Sequence, residues 1–547
     1  MKDLLKSFAI FAILFVFFLL LQGTTRFADP DCFYNTKMAL LMKNNLVFKE
    51  FPWLQFSVLK DNFVDHHFLY HIFLIPFVSL EKVGINPLLG VRISAIFFAS
   101  LMIFIFYLIL KKFKIRYPLL FVFLLLISAP FVFRISLARA PAVSGIFLLL
   151  GTYFILKSRN RSTQEATQIS ADKFCWPLFV VSFFYVWLYS AWLLLSVVLF
   201  FYIVGSVIVD KNKDGANKLV LGRTWSWSAI IRIVRAIISA IRKNASKVIS
   251  CLSGITLGLI INPYFPVNLK FYYHQIIQIA VVNFHHKFGV GSEWYPYDII
   301  NLFRNLFVFF IILLIATALF FAFNKRQNKK SWTLFLITFF FFIYTLKARR
   351  AVEYFVPFGV LFIAFVYDNI FQKKTWPELE QKFKKFFTKK QQTILVVLVS
   401  ILVLIAPYFI VNDLMSVHRN LQNFKFNHLE KVSQWIKENV APGKTIFNSN
   451  WDHFGFLFYY NSNNYYITGL DQTFMYSYDP NLLELYIDIT KGLNAVDLKN
   501  NLKNKFNSEY ILVSKKRNKE FYRNLEILKD FERVYEDEEM SVFKTKP

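Results

Sequence analysis

Cysteine is scarce in this sequence. Cys32, Cys175 and Cys251 are its only cysteines among 547 residues, and they form no Cys-x-x-Cys motif and no disulfide framework. Their scarcity excludes a disulfide-stapled module and argues against cysteine chemistry. The sequence also has no internal repeat, no Gly-Ser linker and no low-complexity tract, which argues against a repeat protein.

Acidic residues are also few, because 35 Asp and Glu face 63 Lys and Arg for a net charge of +28. In a soluble protein such a charge suggests a nucleic-acid partner. Here the bases concentrate in alternate loops between apolar segments, for example at residues 111–116 and 325–330. This is the positive-inside pattern of membrane proteins. No basic motif with interleaved aromatic residues accompanies it, so we expect membrane lipids and no nucleic acid as partners.

Long apolar runs dominate what is present, since 56% of the residues are hydrophobic and 67 are phenylalanine. Runs of roughly 17–25 apolar residues are long enough to cross a bilayer. They predict a polytopic α-helical membrane protein whose first run is retained, because it lacks a small-residue cleavage site. The pattern predicts about eleven spans, near residues 4–22, 93–110, 117–133, 141–156, 174–190, 191–209, 248–262, 303–323, 331–346, 351–367 and 393–411.

The distribution of bases predicts a cytoplasmic N-terminus in a multi-pass protein of the cell membrane. The loops at residues 23–92, 134–140, 263–302 and 347–350 and the tail at 412–547 then lie on the extracytoplasmic face. Every motif with recognisable chemistry falls in these segments. We therefore expect a single active site on the outer face.

Two domains are predicted. Residues 1–411 form a transmembrane catalytic domain with a long first outer loop at residues 23–92. Residues 412–547 lack this density of apolar runs and alternate helix and strand patterns, which predicts an extracytoplasmic mixed α/β domain. Helical apolar spacing at residues 35–49 and 65–82 predicts two helices that lie along the membrane interface.

The segment directly after the first span carries two carboxylates, Asp29 and Asp31. Carboxylates at the mouth of a membrane are costly, so they indicate chemistry or ion binding. The run Asp-Cys-Phe-Tyr-Asn-Thr-Lys at residues 31–37 resembles the Asp-Pro-Trp-Phe-Asn-Tyr-Arg-like motif of oligosaccharyltransferase catalytic subunits. The resemblance covers most of the chain in layout. It implies a GT-C-like fold, that of polytopic glycosyltransferases that use polyprenyl-linked sugar donors.

Sugar transfer of this kind requires a carboxylate that deprotonates or orients the acceptor and a cation that neutralises the leaving phosphate. Asp31 is the first candidate for the carboxylate, because its six-residue distance from Lys37 matches the family's Asp-to-Arg spacing. Asp29 is the second candidate, and the alternative is that Asp29 and Pro30 only cap a helix. Glu293 resembles, by position, a late-loop glutamate that helps to hold acceptor and metal in oligosaccharyltransferases.

A cluster of bases lies where one helix ends and the next begins on the outer face: Lys347, Arg349 and Arg350. An arginine fork binds phosphate bidentately, and similar Arg-Phe-x-x-Tyr runs occur in the resembled family. We predict that these three residues bind the donor phosphate, with Arg139 assisting. The alternatives are a snorkelling anchor and an ion pair with Glu353.

The C-terminal segment contains Asn-Trp-Asp-His-Phe at residues 450–454. It resembles the acceptor-reading Trp-Trp-Asp-Tyr-Gly motif of oligosaccharyltransferases, of which only Trp-Asp is kept. We predict that Trp451 and Asp452 bind the acceptor. A folding role for Trp451 is an equal alternative.

The resemblance also raises the question of a divalent cation, Mg²⁺ or Mn²⁺, as a cofactor. The candidate ligands are Asp31, Asp65 and His66, because carboxylates and imidazole bind such ions. The second outer loop, residues 134–140, departs from the family pattern, since it contains no acid. Metal-independent transfer of a single sugar from a polyprenyl monophosphate to a glycan or lipid therefore stays open.

These features together predict a membrane-embedded glycosyltransferase that passes a sugar or oligosaccharide from a polyprenyl (pyro)phosphate carrier to a glycan, lipid or protein acceptor. The resemblance alone implies inversion at the sugar. A transporter or flippase of a lipid-linked saccharide is one alternative, although such proteins usually show paired repeats and polar groups at mid-span. A glycan polymerase or ligase is another, although it does not need an aspartate directly after the first helix.

Overall fold

The computed structural model describes the following parts of the chain: residues 2–157, 174–213, 227–371, 389–493 and 496–547. A large helical part is followed by a smaller C-terminal part in which helices pack on a mixed sheet. This architecture confirms the predicted helical protein with a C-terminal α/β domain. The last helix of the first part continues beyond residue 411 to Asn420.

The helical part alternates long apolar helices with short helices at their ends. In chain order the helices are α1 (Lys2–Gln22), α2 (Asp31–Met42), α3 (Phe68–Val78), α4 (Pro87–Lys112), α5 (Pro118–Leu126), α6 (Ala129–Ile135), α7 (Pro141–Leu156), α8 (Trp176–Leu188), α9 (Leu193–Lys213), α10 (Trp227–Lys243), α11 (Ala245–Ile260), α12 (Val267–Tyr272), α13 (Ile299–Asn305), α14 (Phe307–Ala322), α15 (Lys329–Lys347), α16 (Val352–Ile370) and α17 (Lys389–Asn420). A π-helix, Tyr273–Val282, follows α12, and strand β1 (Arg26–Phe27) follows α1.

Within the described residues, four helical segments are long and apolar enough to cross a membrane: Asp3–Gln22, Pro87–Lys112, Ser190–Asp210 and Arg349–Ile370. The number rises to six if two bent helix pairs each count as one span. The predicted count of about eleven is therefore not confirmed, although a helix coincides with every predicted span. Helices α7, α8 and α11 have 16, 13 and 16 residues, fewer than the roughly 20 that a straight span needs.

The two bent pairs are α5 with α6, at 82°, and α13 with α14, at 93°. Pro130 lies in the first turn of α6. Its fixed φ suits a helix start, but its missing N–H and its ring prevent the helical bond to the carbonyl of Leu126, the last residue of α5. The last turn of α6 carries Arg134, so the break sets the position of a charged side chain.

The loop at residues 23–92 contains α2 and α3. α3 falls within the helix predicted at residues 65–82, whereas α2 overlaps the one predicted at 35–49 but begins four residues earlier. A buried hydrogen-bonded chain joins them. His71 Nδ1 lies 2.7 Å from Asp65 Oδ2, and His71 Nε2 lies 3.0 Å from Asn35 Oδ1. Because these buried groups hydrogen-bond to one another away from water, the two hydrogen bonds stabilise the packing of α2 against α3.

The C-terminal domain is a five-stranded sheet with helices around it. Its helices are α18 (Glu430–Asn439), α19 (Phe454–Tyr460), α20 (Gln472–Tyr478), α21 (Pro480–Lys491), α22 (Leu498–Asn500) and α23 (Lys519–Ile527). Its strands are β3 (Thr445–Asn448), β4 (Tyr465–Tyr466), β5 (Ser508–Ser514), β6 (Phe531–Glu536) and β7 (Met540–Thr545), after β2 (Phe424–Lys425) in the connection from α17. The order is β4-β3-β5-β7-β6, with β3 parallel to β4 and β5, and β7 antiparallel to β5 and β6.

The C-terminal domain is attached to the beginning of α2. Strand β1 pairs antiparallel with β2, and the Phe33 ring packs 4.6 Å from the Phe456 ring between centroids. Gly455 approaches so closely that a Cβ there would lie 2.4 Å from the Pro30 carbonyl oxygen. Only glycine permits this approach. The attachment brings the domain next to the two carboxylates that follow α1.

Candidate active site

Two cavities meet beside the beginning of α2. The domain-side cavity, of about 480 Å³, borders the C-terminal domain. The helix-side cavity, of about 560 Å³, lies between residues of α6, α13 and α17. Five residues border both cavities and form what we call the shared wall: Asp29, Arg139, Ser292, Glu293 and Arg350.

Asp31 is the first residue of α2, and its side chain is 36% exposed toward the domain-side cavity. Asp29 Oδ1 accepts a hydrogen bond of 3.1 Å from the Asp31 backbone N–H, so Asp29 also stabilises the first turn. Burial raises the pKa of Asp31 to about 6, against the attraction of Arg139 and with added repulsion from Asp29. A carboxyl with such a pKa can accept a proton near neutral pH.

Arg139 lies in the loop between α6 and α7, and its guanidinium faces three carboxylates. It forms a close ion pair with Asp31. Its Nη1 lies 2.8 Å from Glu293 Oε2 and 3.7 Å from Asp29 Oδ2. Burial alone would lower the pKa of Arg139, but Asp31 and Glu293 raise it well above its ordinary value, so the guanidinium carries a permanent charge. Asn35 Nδ2 donates to the Ala138 carbonyl oxygen at 3.3 Å and so fixes the same loop on α2.

Glu293 is held by three arginines. Its carboxylate lies 2.6 Å from Arg134 Nη1, 2.8 Å from Arg139 Nη1 and 3.3 Å from Arg350 Nη1. Burial opposes ionisation, but Arg139 and Arg134 lower the pKa of Glu293 to about 2. Arg134 also pairs with buried Glu353 at 2.9 Å. Glu293 is therefore a fixed anion that aligns arginines, whereas Asp31 is the carboxylate poised to change protonation state.

The three bases predicted to bind the donor phosphate occupy different places. Arg350 borders both cavities, and its guanidinium lies 4.2 Å from the Trp294 ring centroid. Arg349 lines the helix-side cavity, and its Nε donates to the Pro296 carbonyl oxygen at 3.1 Å. Lys347 lines neither cavity and donates to the Val281 carbonyl oxygen. The structure thus brings the two arginines, but not the lysine, to the site.

Trp451 and Asp452 line the domain-side cavity from the C-terminal domain. They belong to a short 3₁₀ turn, Trp451–His453, that follows β3. Asp452 forms an ion pair of 2.8 Å with Arg517, which also lines the cavity. The attachment of the domain to α2 therefore places the motif resembling the acceptor-reading one in the lining of the same cavity as Asp31.

The residues predicted to bind a metal do not come together. Asp65 is committed to His71, and burial lowers the pKa of His66, which lines the domain-side cavity, to about 4. Asp31 faces the Arg139 guanidinium instead. Within the described residues, no group of three or more His, Cys, Asp or Glu side chains has a geometry that could hold a metal ion. The side chains present do not fit a divalent cation here.

Several site residues escaped the sequence analysis. Tyr189 lies between α8 and α9, accepts a hydrogen bond from Arg350 and stacks on His67 with centroids 5.4 Å apart. Asp471 and Arg517 complete the domain-side lining. The sequence contains a signal that could have identified Tyr189 as a candidate site residue. This residue lies at the junction of two adjoining predicted spans, 174–190 and 191–209, and the predicted topology puts this junction on the outer face. Asp471 and Arg517 lie in polar surroundings with no motif that distinguishes them.

No protein-family model matches this chain, and no curated protein matches it in sequence, so the likeness lies in solved structures. The oligosaccharyltransferase AglB of Archaeoglobus fulgidus, in complex with an inhibitory peptide and a dolichol-phosphate, superposes with a TM-score of 0.63 at 12% identity. The match covers 93% of this chain and 69% of AglB. A structure of the A. fulgidus oligosaccharyltransferase with Zn and sulfate superposes with a TM-score of 0.59 at 12% identity, over 98% of this chain and 73% of that one.

A second kind of neighbour has nearly the same length. ArnT of Cupriavidus metallidurans, bound to undecaprenyl phosphate, superposes with a TM-score of 0.50 at 11% identity. The match covers 99% of this chain and 98% of ArnT. At such identities the likeness establishes architecture. The chain shares the fold of these two proteins, which agrees with the GT-C-like fold that the motif after the first span implied.

Proposed function

We propose that the protein is a membrane glycosyltransferase that transfers a sugar or oligosaccharide from a polyprenyl-phosphate-linked donor to an acceptor on the extracytoplasmic face. The observation that carries this proposal is the pairing of Asp31 with the shared wall: Asp31, whose pKa is raised, lines the domain-side cavity and contacts Arg139, which borders both cavities together with Arg350. A two-substrate transfer needs such a geometry, because donor and acceptor must approach one reacting atom from opposite sides.

The proposed reaction is a direct displacement at the anomeric carbon. Asp31 takes the proton of the acceptor's nucleophilic group as that group forms its bond to the anomeric carbon. The bond between the anomeric carbon and the phosphate oxygen breaks, and its electron pair stays on the phosphate. A single displacement inverts the anomeric configuration, and Asp31 later returns its proton to water.

The helix-side cavity is the proposed donor site. Arg349 and Arg350 line it with Arg134, so positive charge is fixed where the leaving phosphate gains negative charge. Its remaining wall is rich in amide side chains that can hydrogen-bond sugar hydroxyl groups, namely Asn301, Asn305, Asn420 and Asn423. The neighbours AglB and ArnT, solved with dolichol phosphate and undecaprenyl phosphate, support a polyprenyl carrier.

The domain-side cavity is the proposed acceptor site, with Trp451 and Asp452 on its outer wall. A structure of the A. fulgidus oligosaccharyltransferase with a tethered acceptor peptide supports an acceptor in this fold. For this chain we propose a glycan, a lipid or a protein as acceptor. The proposal includes the cytoplasmic N-terminus and the extracytoplasmic C-terminal domain, and a periplasm-active reporter fused after Pro547 should be active.

The decisive experiment begins with the lipid-linked saccharide that accumulates in cells lacking this gene. That saccharide, labelled, is incubated with purified protein in nanodiscs and with an envelope extract as acceptor. We expect label to leave the polyprenyl carrier with the wild type and to remain with Asp31→Asn. Movement of the intact labelled lipid across proteoliposomes without release of its sugar would support a flippase and contradict this proposal.

A further inference from the structure

Asp31 and the wall shared by the two cavities form an arrangement that the proposed reaction leaves unexplained. Three carboxylates, those of Asp29, Asp31 and Glu293, converge on one guanidinium. Carboxylates are the ligand type that Mg²⁺ or Mn²⁺ prefers, but around Arg139, as elsewhere among the described residues, three such groups do not have the geometry of a metal site. Here each of them faces Arg139, and the central position between them is filled by this chain's own side chain.

The loop that supplies Arg139 also indicates that the protein itself provides the positive charge between the carboxylates. Residues 134–140 contain no acid but two arginines, Arg134 and Arg139, and both contact Glu293, at 2.6 and 2.8 Å. A loop that completed a metal site would contribute negative oxygen ligands. This loop contributes positive charge, so the cluster is neutralised from within the protein.

We propose that the Arg139 guanidinium takes the place of a divalent cation, and that sugar transfer at this site needs no bound metal. The planar guanidinium binds Asp31 and Glu293 with separate N–H groups and keeps its charge at every physiological pH. It holds the two carboxylates apart and presents fixed positive charge to both cavities. The inference deepens the proposed function and rests on it for its chemical meaning.

The test is direct Mn²⁺ binding, which needs no donor and no acceptor. Purified protein in nanodiscs of uncharged lipid is titrated with Mn²⁺, and the free ion is measured by electron paramagnetic resonance. We expect no site in the wild type tighter than about 1 mM, the weak end of protein–cation affinity. Arg139→Gln uncovers the three carboxylates and should bind Mn²⁺ at least about tenfold more tightly, whereas Arg139→Lys keeps a positive charge and should not.

Arg533→Gln is the matched control. Arg533 also bridges two carboxylates, Glu526 at 3.0 Å and Glu536 at 3.2 Å, but on the exposed C-terminal hairpin. Its replacement should not increase Mn²⁺ affinity. An equal gain in Arg533→Gln and Arg139→Gln would overturn the inference, because any uncovered acid pair would then suffice.

Two further outcomes separate this inference from the proposed function. A wild-type site that binds Mn²⁺ at micromolar concentration and disappears in Asp31→Asn would overturn the inference, even if Arg139→Gln does not fold. That result would not contradict the proposed function. Chelation by EDTA should change the wild-type transfer rate by less than about twofold, and a loss restored by Mn²⁺ would equally overturn the inference. Absence of any sugar transfer, with the binding results as expected, would instead contradict the proposed function.

Discussion

The two cavities have similar size but different chemistry. The domain-side cavity is rich in aromatic and imidazole groups such as Trp294, Trp451 and His66. The helix-side cavity is instead rich in amides such as Asn301 and Asn305, and both cavities are lined by carboxylates and arginines. The difference indicates that the cavities receive different molecules, and that only the wall between them contacts both. A substitution in the shared wall should therefore affect both substrates, whereas one in an outer wall should affect a single substrate.

Loss of Asp31 should have the largest effect. Asp31→Asn removes the proposed base while preserving shape, so turnover should fall about 10²–10⁴-fold, the usual contribution of a general base. Folding should be largely intact, because the side chain is partly exposed to the cavity. The measurement is kcat for transfer from labelled donor, with the melting temperature as a folding check.

Asp29→Asn sharpens this prediction. Asp29 borders both cavities but lies 3.7 Å from Arg139 and accepts the Asp31 backbone N–H. Its replacement should cost less than that of Asp31. Wild-type turnover in Asp31→Asn would contradict the assigned role.

Removal of the two arginines should have the next largest effect. Each charge-assisted contact contributes roughly 1.5–3 kcal/mol, or about ten- to a hundredfold in affinity. The double variant Arg349→Ala with Arg350→Ala should nearly abolish donor binding, and Arg350→Lys should weaken it. The measurement is binding of a labelled polyprenyl-phosphate sugar to protein in nanodiscs.

Acceptor affinity serves as the control for the arginine variants, and it should change little in Arg349→Ala, because Arg349 lines only the helix-side cavity. Lys347 lines neither cavity and should matter less than Arg349. Unchanged donor affinity in the double variant would assign the pair a structural role. That role would not depend on an ion pair with Glu353, the alternative considered from the sequence, because Glu353 pairs with Arg134.

The pH profile should separate the two acidic groups of the site. Asp31 is active as a base only when ionised, and burial raises its pKa to about 6. The rate should therefore be level above pH 6 and fall about tenfold per pH unit below it. Glu293, with a pKa lowered to about 2, should add no titration in this range. An acidic limb near pH 4 in kcat/KM would contradict the assignment.

Trp451→Ala should have the smallest effect and should be confined to the acceptor. An aromatic contact contributes about 0.5–1.5 kcal/mol beyond buried area, so the acceptor KM should rise several-fold with donor affinity unchanged. Trp435→Ala is the control, because Trp435 packs on Tyr535 elsewhere in the same domain, at 5.3 Å between ring centroids. Equal changes in both variants would favour a folding role for Trp451.

The sequence was enough to predict which segments carry the candidate site residues. It was not enough to predict which of those residues form ion pairs with one another. Asp31, Arg349 and Arg350 were predictable, because short motifs and positive-inside topology put them on one face. The contact of Arg139 with Glu293, 154 residues away, depends on how two loops meet in three dimensions. Arg139 was therefore predicted as an aid to phosphate binding, and its position among three carboxylates emerges only from the fold.

The predicted number of spans exceeds the four to six found within the described residues for a related reason. Hydropathy measures how apolar a run is and not whether its backbone is continuous. The run at residues 117–133 is apolar throughout, yet the helix breaks between α5 and α6 at 82°. Pro130 was the available signal. The alternation of helix and strand in residues 412–547 was predicted, because turn residues separate short helices and strands there, as at residues 536–538 between β6 and β7.

The attachment of the C-terminal domain to α2 has a consequence for biogenesis. Pro30 and Asp31 leave the ribosome early, whereas Gly455, which must settle against Pro30, is made long after the first helices have entered the membrane. The lining of the domain-side cavity is complete only when Trp451 and Arg517 have been synthesised. The order of synthesis thus delays the completed candidate site until nearly the whole chain has been translated, and the proposed sugar transfer cannot begin before the C-terminal domain is in place.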